Sequence, residues 1–350
     1  MACAALPDAS AAKPHQGVPA TVHIRGTAYT FENQQPIAGA TIRVAELPGV
    51  SATSLSDGSY DLVVPDGTKV TAYVDAAGHH RIYAQTFVTT GRDLDRVNFQ
   101  VPTQPIYFAL AALLGVELDA NGELVRCAIV STFANVNVRE LSFPDFVAFG
   151  AHGVAGATAT TTPTLPDPVY FNESVIPDPS RTESSIDGGV IWTEVPEGVH
   201  RVQGHHPTER FADFIATCKP GRVVNASPPQ GLYQLRPDES VDREVQADLR
   251  TAKLKRTGSG GDALRLRLDA DEYVAVGAEL LQEGRRLFGT TAGEGVGAFA
   301  PGRRTLSLPI APAAPPGTLE LRVTIEDAAG NREVIVEQVR LPQAGKGEPN

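Results

Sequence analysis

Apolar and polar side chains alternate with a period of two along most of the chain. In the first third, short runs of this kind are separated by turns such as Ser56-Asp57-Gly58. The apolar positions of these runs are Val22, Ile24, Ala28, Ala40, Ile42, Val44, Tyr60, Leu62, Val64, Val70, Ala72, Val74, Val97, Phe99 and Val101. Because successive side chains of a strand point to opposite faces, the pattern predicts strands that are buried on one side. With no convincing amphipathic helix, it predicts a β-sandwich over residues 21–103.

The middle third repeats the landmarks of the first third in the same order. The repeated pairs are IAGAT at 37–41 and VAGAT at 154–158, Asp57-Gly58 and Asp187-Gly188, VPDG at 64–67 and VPEG at 195–198, and Gly78-His79-His80 and Gly204-His205-His206. The offset is 117 residues at the first pair and 130 at the second, so the second copy carries 13 extra residues. We therefore predict a second sandwich over 104–236 with a long insertion. The insertion contains Val169, Tyr170 and Phe171, and it either packs on the sheet, which we favour, or forms a recognition loop.

The residue pattern in the last third of the chain predicts one more β unit after a charged linker at 237–249. Leu264, Leu266 and Leu268 alternate with charged residues, and a longer strand with the same alternation runs over 319–326. A turn at 327–331 and a final strand containing Val334, Val336 and Val339 follow. We place this unit at 250–342, between the linker and a tail at 343–350, and we treat residues 1–20 as a tail ahead of the first strand.

The turn and strand residues of the first unit resemble the carboxypeptidase regulatory-like domain, a transthyretin-like (prealbumin-type) sandwich. The resemblance rests on the AGAT strand, the SDGSY turn at 56–60 and the VPDG turn. The second unit resembles a divergent member, in which Trp192 follows the turn three residues later than the expected aromatic residue. The third unit is similar to bacterial immunoglobulin-like or fibronectin-like modules over 317–331. The resemblance implies an all-β chain of three tandem β-sandwich domains, two transthyretin-like and one immunoglobulin-like.

The same resemblance implies a function class without implying a specific activity. Such modules often serve as accessory or spacer domains of peptidases, transporters and adhesins. Some adhesin relatives carry a Lys–Asn isopeptide bond between an early and a late strand. Lys69 lies in the middle of the first unit and Lys219 lies late in the second. We therefore expect no isopeptide bond.

Charge and length exclude several partners. The net charge of −11 argues against binding to nucleic acid or to an anionic membrane, because both would repel the chain. The longest apolar run, residues 106–118, is too short to cross a bilayer, so we expect no transmembrane segment.

The three cysteines indicate the compartment. Cys127 and Cys218 flank the predicted core of the second unit, and we predict a disulfide between them; two buried free thiols in a cytosolic protein are the alternative. Residues 1–18 lack the features of a signal peptide, and we favour a signal removed ahead of this numbering. Cys3 is either the lipidated residue of a lipoprotein or an incidental thiol on a tail. We expect a secreted or cell-surface protein.

The histidine pairs are candidate metal ligands. His79 and His205 occupy corresponding places in the two repeats, and Glu209 follows the second pair. Imidazole and carboxylate groups of this kind bind zinc or copper. Neighbouring residues of a strand point to opposite faces, so one pair lends a single ligand to any one site. Solvated turn residues are the alternative that we favour, and we expect no cofactor.

Enzyme motifs are missing from the sequence. We find no Gly-x-Ser-x-Gly elbow, no His-Glu-x-x-His helix, no phosphate-binding loop and no Cys-x-x-Cys pair. Ser185, Asp187 and His205 could approach one another as a triad. We favour a turn role for Ser185 and Asp187, because Ser56 and Asp57 occupy the matching turn of the first repeat.

These observations predict a non-catalytic extracellular or cell-surface protein with a binding or structural role. Its partner would be a protein or glycan ligand, bound through the insertion and the histidine turns. The candidate residues are Tyr170, Phe171, Asn172, His79, His80, His205 and His206. Residues 1–20 could also donate a strand to a neighbouring copy and build oligomers or filaments. A polysaccharide-active accessory protein, an enzyme with a site in the second sandwich, and a virion structural protein are the alternatives.

Overall fold

A computed structural model describes residues 20–256, 262–290, 301–310 and 317–341. About half of the chain is strand and 7% is helix, so the predicted all-β class with a sandwich fold is confirmed. We describe the strands as three units, whose boundaries as domains stay a prediction.

The first unit contains seven strands. They are β1 (Thr21–Thr30), β2 (Thr41–Val44), β3 (Ser51–Thr53), β4 (Ser59–Pro65), β5 (Lys69–Asp75), β6 (Ile82–Val88) and β7 (Phe99–Val101). One sheet has the order β4-β1-β7, and β3, β2, β5 and β6 pair in the facing sheet. The predicted alternation holds in β4, where Tyr60, Leu62 and Val64 are buried while Asp61 and Val63 face outward.

The second unit contains two α-helices and eight strands. They are α1 (Gln104–Leu114), β8 (Cys127–Thr132), α2 (Phe143–Phe149), β9 (Thr158–Thr162), β10 (Val169–Phe171), β11 (Pro177–Asp178), β12 (Gly189–Val195), β13 (Gly198–His205), β14 (Phe214–Cys218) and β15 (Val223–Ala226). A short 3-10 helix spans Val136–Val138. One side of the unit has the order β11-β10-β12-β8-β15, and β14, β13 and β9 form the other.

The two units share the same strand pairings, as the sequence repeat predicts. In each unit the first long strand pairs in parallel with the last and antiparallel with the strand that follows the Asp-Gly turn: β1 with β7 and β4, and β8 with β15 and β12. The Ser54 hydroxyl accepts from Ala40 N–H and donates to Ile37 C=O. Ser184 makes the same two bonds with Ala157 and Val154.

The two repeats are joined through β6 of the first unit. This strand pairs with β14 at Thr86 and Ile215, and with β15 at Tyr83 and Val224. Asn98 adds a buried bridge, because it accepts from Thr27 N–H and donates to the carbonyl of Pro228, each at 3.0 Å. The repeats therefore pack as one connected structure.

The described part of the third unit contains seven strands in two sheets. They are β16 (Ala247–Arg256), β17 (Asp262–Ala270), β18 (Val274–Gln282), β19 (Arg285–Thr290), β20 (Gly302–Ile310), β21 (Gly317–Asp327) and β22 (Arg332–Leu341), in the orders β16-β17-β20 and β19-β18-β21-β22. Leu264, Leu266 and Leu268 are buried, as the alternation predicts. Strand β16 begins at Ala247, inside the predicted linker.

Polar side chains connect the third unit to the other two. Lys69 of the first unit pairs with Glu326 at 3.1 Å, and the Tyr273 hydroxyl donates to Asp66 at 2.9 Å. Arg201 of the second unit, itself paired with buried Asp213, donates to the side chain of Asn331 and to the carbonyl of Asp242.

Both α-helices were missed by the sequence prediction. Helix α1 overlaps the apolar run at 106–118, which lacks the alternation of a strand, and Gly115 ends it in a left-handed conformation. Ser142 caps α2 by accepting from the N–H of Asp145. Neither helix in the described part of the chain is long and apolar enough to span a membrane.

The predicted disulfide between Cys127 and Cys218 is present. It links β8 to β14 with a Cα–Cα distance of 5.6 Å across a sequence separation of 91 residues. Both cysteines are buried in the core of the second unit, together with Trp192.

Candidate functional site

Two neighbouring cavities lie where the first repeat meets the second. The apolar cavity, of about 80 Å³, lies under α1, and the polar cavity, of about 50 Å³, lies beside Asp187 and His152. The two cavities share a wall, formed by Phe31, Gln100, Val130, Phe171 and Asn225. A mostly apolar recess with a few converging polar groups is the usual form of a small-molecule site.

Helix α1 forms one side of the apolar cavity. Tyr107, Leu110, Ala111 and Leu114 lie on the face of the helix that lines it. Tyr107 stacks on the buried ring of His80, with ring centroids 3.5 Å apart. Burial lowers the pKa of His80 to about 4 and raises that of Tyr107 to about 12. The packing therefore keeps both rings neutral at pH 7.

Asp187 is the ionisable group of the polar cavity. Its Oδ2 accepts from the N–H of Gly189 at 3.1 Å, and in the described part of the chain Oδ1 accepts no hydrogen bond. Burial raises the pKa of Asp187, while the backbone hydrogen bond and the charge of His152 lower it. His152 Nδ1 lies 2.8 Å from the carbonyl of Gly150. Since a carbonyl only accepts, Nδ1 carries the proton and Nε2 is the acceptor of the neutral ring.

The corresponding aspartate of the first repeat, Asp57, does not line this cavity. Asp57 is exposed, and its Oδ1 accepts from both the backbone N–H and the hydroxyl of Ser59, which lower its pKa. In the second repeat the position of Ser59 is taken by Gly189. A Cβ atom on Gly189 would lie 2.7 Å from Cγ of Phe171 and 2.6 Å from Oδ2 of Asp187. The insertion therefore needs glycine here, and Asp187 lacks the hydroxyl donor that Asp57 has.

The insertion packs on the sheet, as we favoured. Tyr170 and Phe171 are buried, and Ala159 N–H donates to the Tyr170 hydroxyl. Their nomination as an exposed recognition surface was wrong, because β10 pairs with β12 and covers the sheet. Phe171 instead lines both cavities from inside. Asn172 forms a turn by accepting from the N–H groups of Ser174 and Ile176.

The first histidine pair does not form a solvated turn. His80 is buried, and its Nε2 lies 3.7 Å from a carboxylate oxygen of Glu123. His79 is half-buried, and its Nδ1 lies 2.9 Å from the carbonyl of Ala77. Prediction of a solvated turn failed here because helix α1, which the sequence pattern did not show, covers this end of the sheet.

The second histidine pair lies at the surface. His205 Nε2 lies 2.7 Å from the Thr160 hydroxyl, and His206 Nδ1 accepts from the N–H groups of Thr208 and Glu209. The Glu209 carboxylate accepts from Gln234. The structure does not gather His79, His205 and Glu209 into a three-ligand metal site.

Among the described residues, one group of three acidic side chains has ligand atoms within 4.8 Å of one another. It consists of Asp242, Glu272 and Asp327, at the junction of the second and third units. Asn331 donates to both aspartates, and Gln246 N–H donates to Glu272. These hydrogen bonds explain the three acidic side chains as a structural part of the junction between the second and third units.

The residues of the suggested triad have turn and surface roles. Ser185 is buried, and its hydroxyl accepts from the N–H of Asp187, while Gly188 N–H donates to the carbonyl of Ser185. The histidine whose charge acts on Asp187 is His152, not His205. Sequence reasoning did not select His152, because it lies outside the repeated landmarks.

Comparisons with known proteins add little about function. No family model matches the chain, and no curated protein matches it. It is similar to the Bacillus anthracis TIE protein (12% identity, 91% of this chain and 48% of that chain, TM-score 0.19). It is similar to BcpA, the major pilin subunit of Bacillus cereus (10%, 61% and 69%, TM-score 0.17), and to a tetra-tandem repeat in the extending region of a large adhesion protein (11%, 92% and 74%, TM-score 0.20). The chain thus spans about half of the first of these proteins. TM-scores this low carry no argument about what this chain does.

Proposed function

We propose that the chain is a non-catalytic structural or binding protein of the cell surface or extracellular space. In this proposal, two transthyretin-like sandwiches are followed by an immunoglobulin-like one. The shared pairings of the repeats support the first part, and the two facing sheets of the third unit support the second.

The observation that supports the structural role is the set of contacts that join the three units. Beyond the pairing through β6, buried Asn98 bridges the first two units, and Arg201 connects the second to the third. The Arg201 side chain is 15% exposed and that of Asp213 is 4% exposed, so this ion pair is shielded from solvent. A string of sandwiches joined in this way holds its ends at a fixed separation, which suits a spacer or a surface scaffold.

The Cys127–Cys218 disulfide supports the compartment, because such bonds persist in oxidising surroundings. The first experiment is the intact mass of the protein from its native source, before and after reduction, combined with brief protease treatment of intact cells. We expect a mass two hydrogens below that of the reduced chain, and cleavage without cell lysis. Free thiols in a protease-inaccessible protein would contradict the proposal. Purification of the protein with virus particles would favour the virion alternative.

Two further parts of the proposal concern the first 20 residues, of which the structure describes Ala20. Lipidation of Cys3 would appear in the same mass measurement as an added acyl mass at the amino terminus. Self-assembly through residues 1–20 predicts that their deletion shifts the protein to a smaller species in size-exclusion chromatography. An unchanged elution volume relative to the monomer standard would count against it.

A further inference from the structure

We propose that the two cavities bind a small amphiphilic amine, with its ammonium group at Asp187 and its apolar tail under α1. This inference goes beyond the proposed function, because it assigns a ligand class to a site. It rests on the hydrogen-bond partners that the polar groups of the polar cavity have and lack, and on the residues that line both cavities.

The first argument is charge. Among the described residues Asp187 has one oxygen without a hydrogen bond, and the titratable side chain that acts on it is His152. No lysine or arginine acts on it among the described residues. A half-buried carboxylate whose neighbour is a histidine, rather than a permanently charged lysine or arginine, is incompletely compensated, and a ligand that brings a positive charge relieves it. The net charge of −11 attracts cations to the chain as a whole.

The second argument is the balance of donors and acceptors. Asp187 Oδ1 and, in the neutral ring, His152 Nε2 both offer lone pairs. The side-chain amides of Gln100 and Asn225 line both cavities, and neither makes a hydrogen bond within the described part of the chain. An ammonium group supplies three N–H donors to such a site, whereas a carboxylate would be repelled.

The third argument is the internal comparison between the repeats. Asp57 occupies the same turn, but Ser59 satisfies it and solvent surrounds it. The cavity at Asp187 exists because Phe171 of the insertion closes over Gly189. The first repeat therefore forms the same turn with an exposed aspartate that has a hydroxyl donor, so the turn does not require Asp187 to be enclosed or to lack such a donor.

The apolar tail has a place next to this head group. Phe31, Val130 and Phe171 line both cavities, and Leu110 and Leu114 of α1 line the apolar one. A chain of a few methylene groups that lies in the apolar cavity leaves water for apolar contacts.

The test is a binding series with linear alkylamines from butylamine to octylamine, measured by calorimetry on the full chain. Hexanol and hexanoate are the matched probes with the same tail. We expect hexylamine to bind at least about tenfold more tightly than either, since charge-assisted hydrogen bonds are the strong ones. Equal binding of hexanol and hexylamine, or no amine binding below about 10 mM, would overturn the proposal.

Asp187→Asn is the direct variant, and Asp57→Asn is its matched control in the first repeat. Asparagine keeps an oxygen for the N–H of Gly189, so we expect unchanged thermal unfolding. We expect D187N to weaken hexylamine binding about ten- to a hundredfold, and D57N to leave it unchanged. If both variants bind like the parent, the site is not at Asp187. If D187N fails to fold, the comparison of amine, alcohol and carboxylate on the unaltered chain still decides.

Leu110→Trp tests the tail, with Leu113→Trp on the exposed side of α1 as its control. Filling the apolar cavity should abolish the gain in affinity from butylamine to octylamine and leave butylamine unaffected. An unchanged chain-length dependence in L110W would refute the placement of the tail.

Discussion

The disulfide makes the most quantitative prediction, because its loop length is known. Reducing Cys127–Cys218 changes no residue of the chain and removes a constraint on the unfolded state. To avoid thiol exchange, the measurement uses a Cys3→Ser background. Trp192 is the chain's single tryptophan and lies in the same core as both cysteines, so its fluorescence reports on unfolding of the second unit.

The magnitude follows from the separation of 91 residues. In the chain-entropy model a loop of this size loses about 15.6 cal/mol/K of entropy in the unfolded state, which is about 4.6 kcal/mol at 25 °C. Since domains have total stabilities of roughly 5–15 kcal/mol, the reduced second unit would keep a small part of its stability or none.

The assay is urea unfolding followed by Trp192 fluorescence, with and without a phosphine reductant. We expect the midpoint to fall strongly on reduction in the C3S background. The Cys127→Ala/Cys218→Ala variant is the control, and reductant should not change its unfolding. A loss of less than about 1 kcal/mol on reduction would refute the loop-entropy argument. An equal effect of reductant on the control would show that the change does not come from this bond.

Three further predictions concern single side chains. Ser184→Ala should lower the free energy of unfolding by about 1–3 kcal/mol, because one buried and one half-buried backbone group lose their partner. Exposed Ser51→Ala should have almost no effect in the same urea titration. Burial holds the pKa of His80 near 4 in the folded chain, whereas the same histidine takes up a proton near pH 6.5 in the unfolded chain. The free energy of unfolding is therefore highest above pH 6.5, and it falls by about 3 kcal/mol as the pH drops to 4. His80→Gln should flatten that profile, and an unchanged slope would contradict the assignment. Arg201→Ala should destabilise the chain by about 3–5 kcal/mol and expose the linker to limited proteolysis, whereas Arg250→Ala, at an exposed pair, should change stability by less than about 1 kcal/mol.

The insertion of the second repeat accounts for the difference between the surroundings of its Asp-Gly turn and those of the matching turn in the first repeat. In the first repeat the Asp-Gly turn is exposed and satisfied. In the second, Phe171 covers Gly189 and places Asp187 inside a cavity. One added segment therefore turns a structural turn into a candidate binding site, while the pairings of β8 with β12 and β15 stay like those of the first repeat.

The residue pattern alone determined the strands, the repeat and the disulfide pair. Alternation over residues 60–64 and 264–268 marks buried faces, because side-chain direction in a strand depends only on local geometry. Ser54 and Ser184 make matching bonds because the same turn residues recur in the same order.

Tertiary structure decided the burial of His80, the packing of Tyr170 and the environment of Asp187. Each depends on segments distant in sequence: α1 covers His80, β12 pairs with the insertion, and Phe171 closes over the turn that holds Asp187. Local pattern gives no measure of such long-range contacts. Desolvation, which sets the ionisation of His80 and Asp187, comes only from the folded surroundings. The sequence therefore predicted where the strands lie, and the packing of helix and insertion decided which polar groups are left without partners.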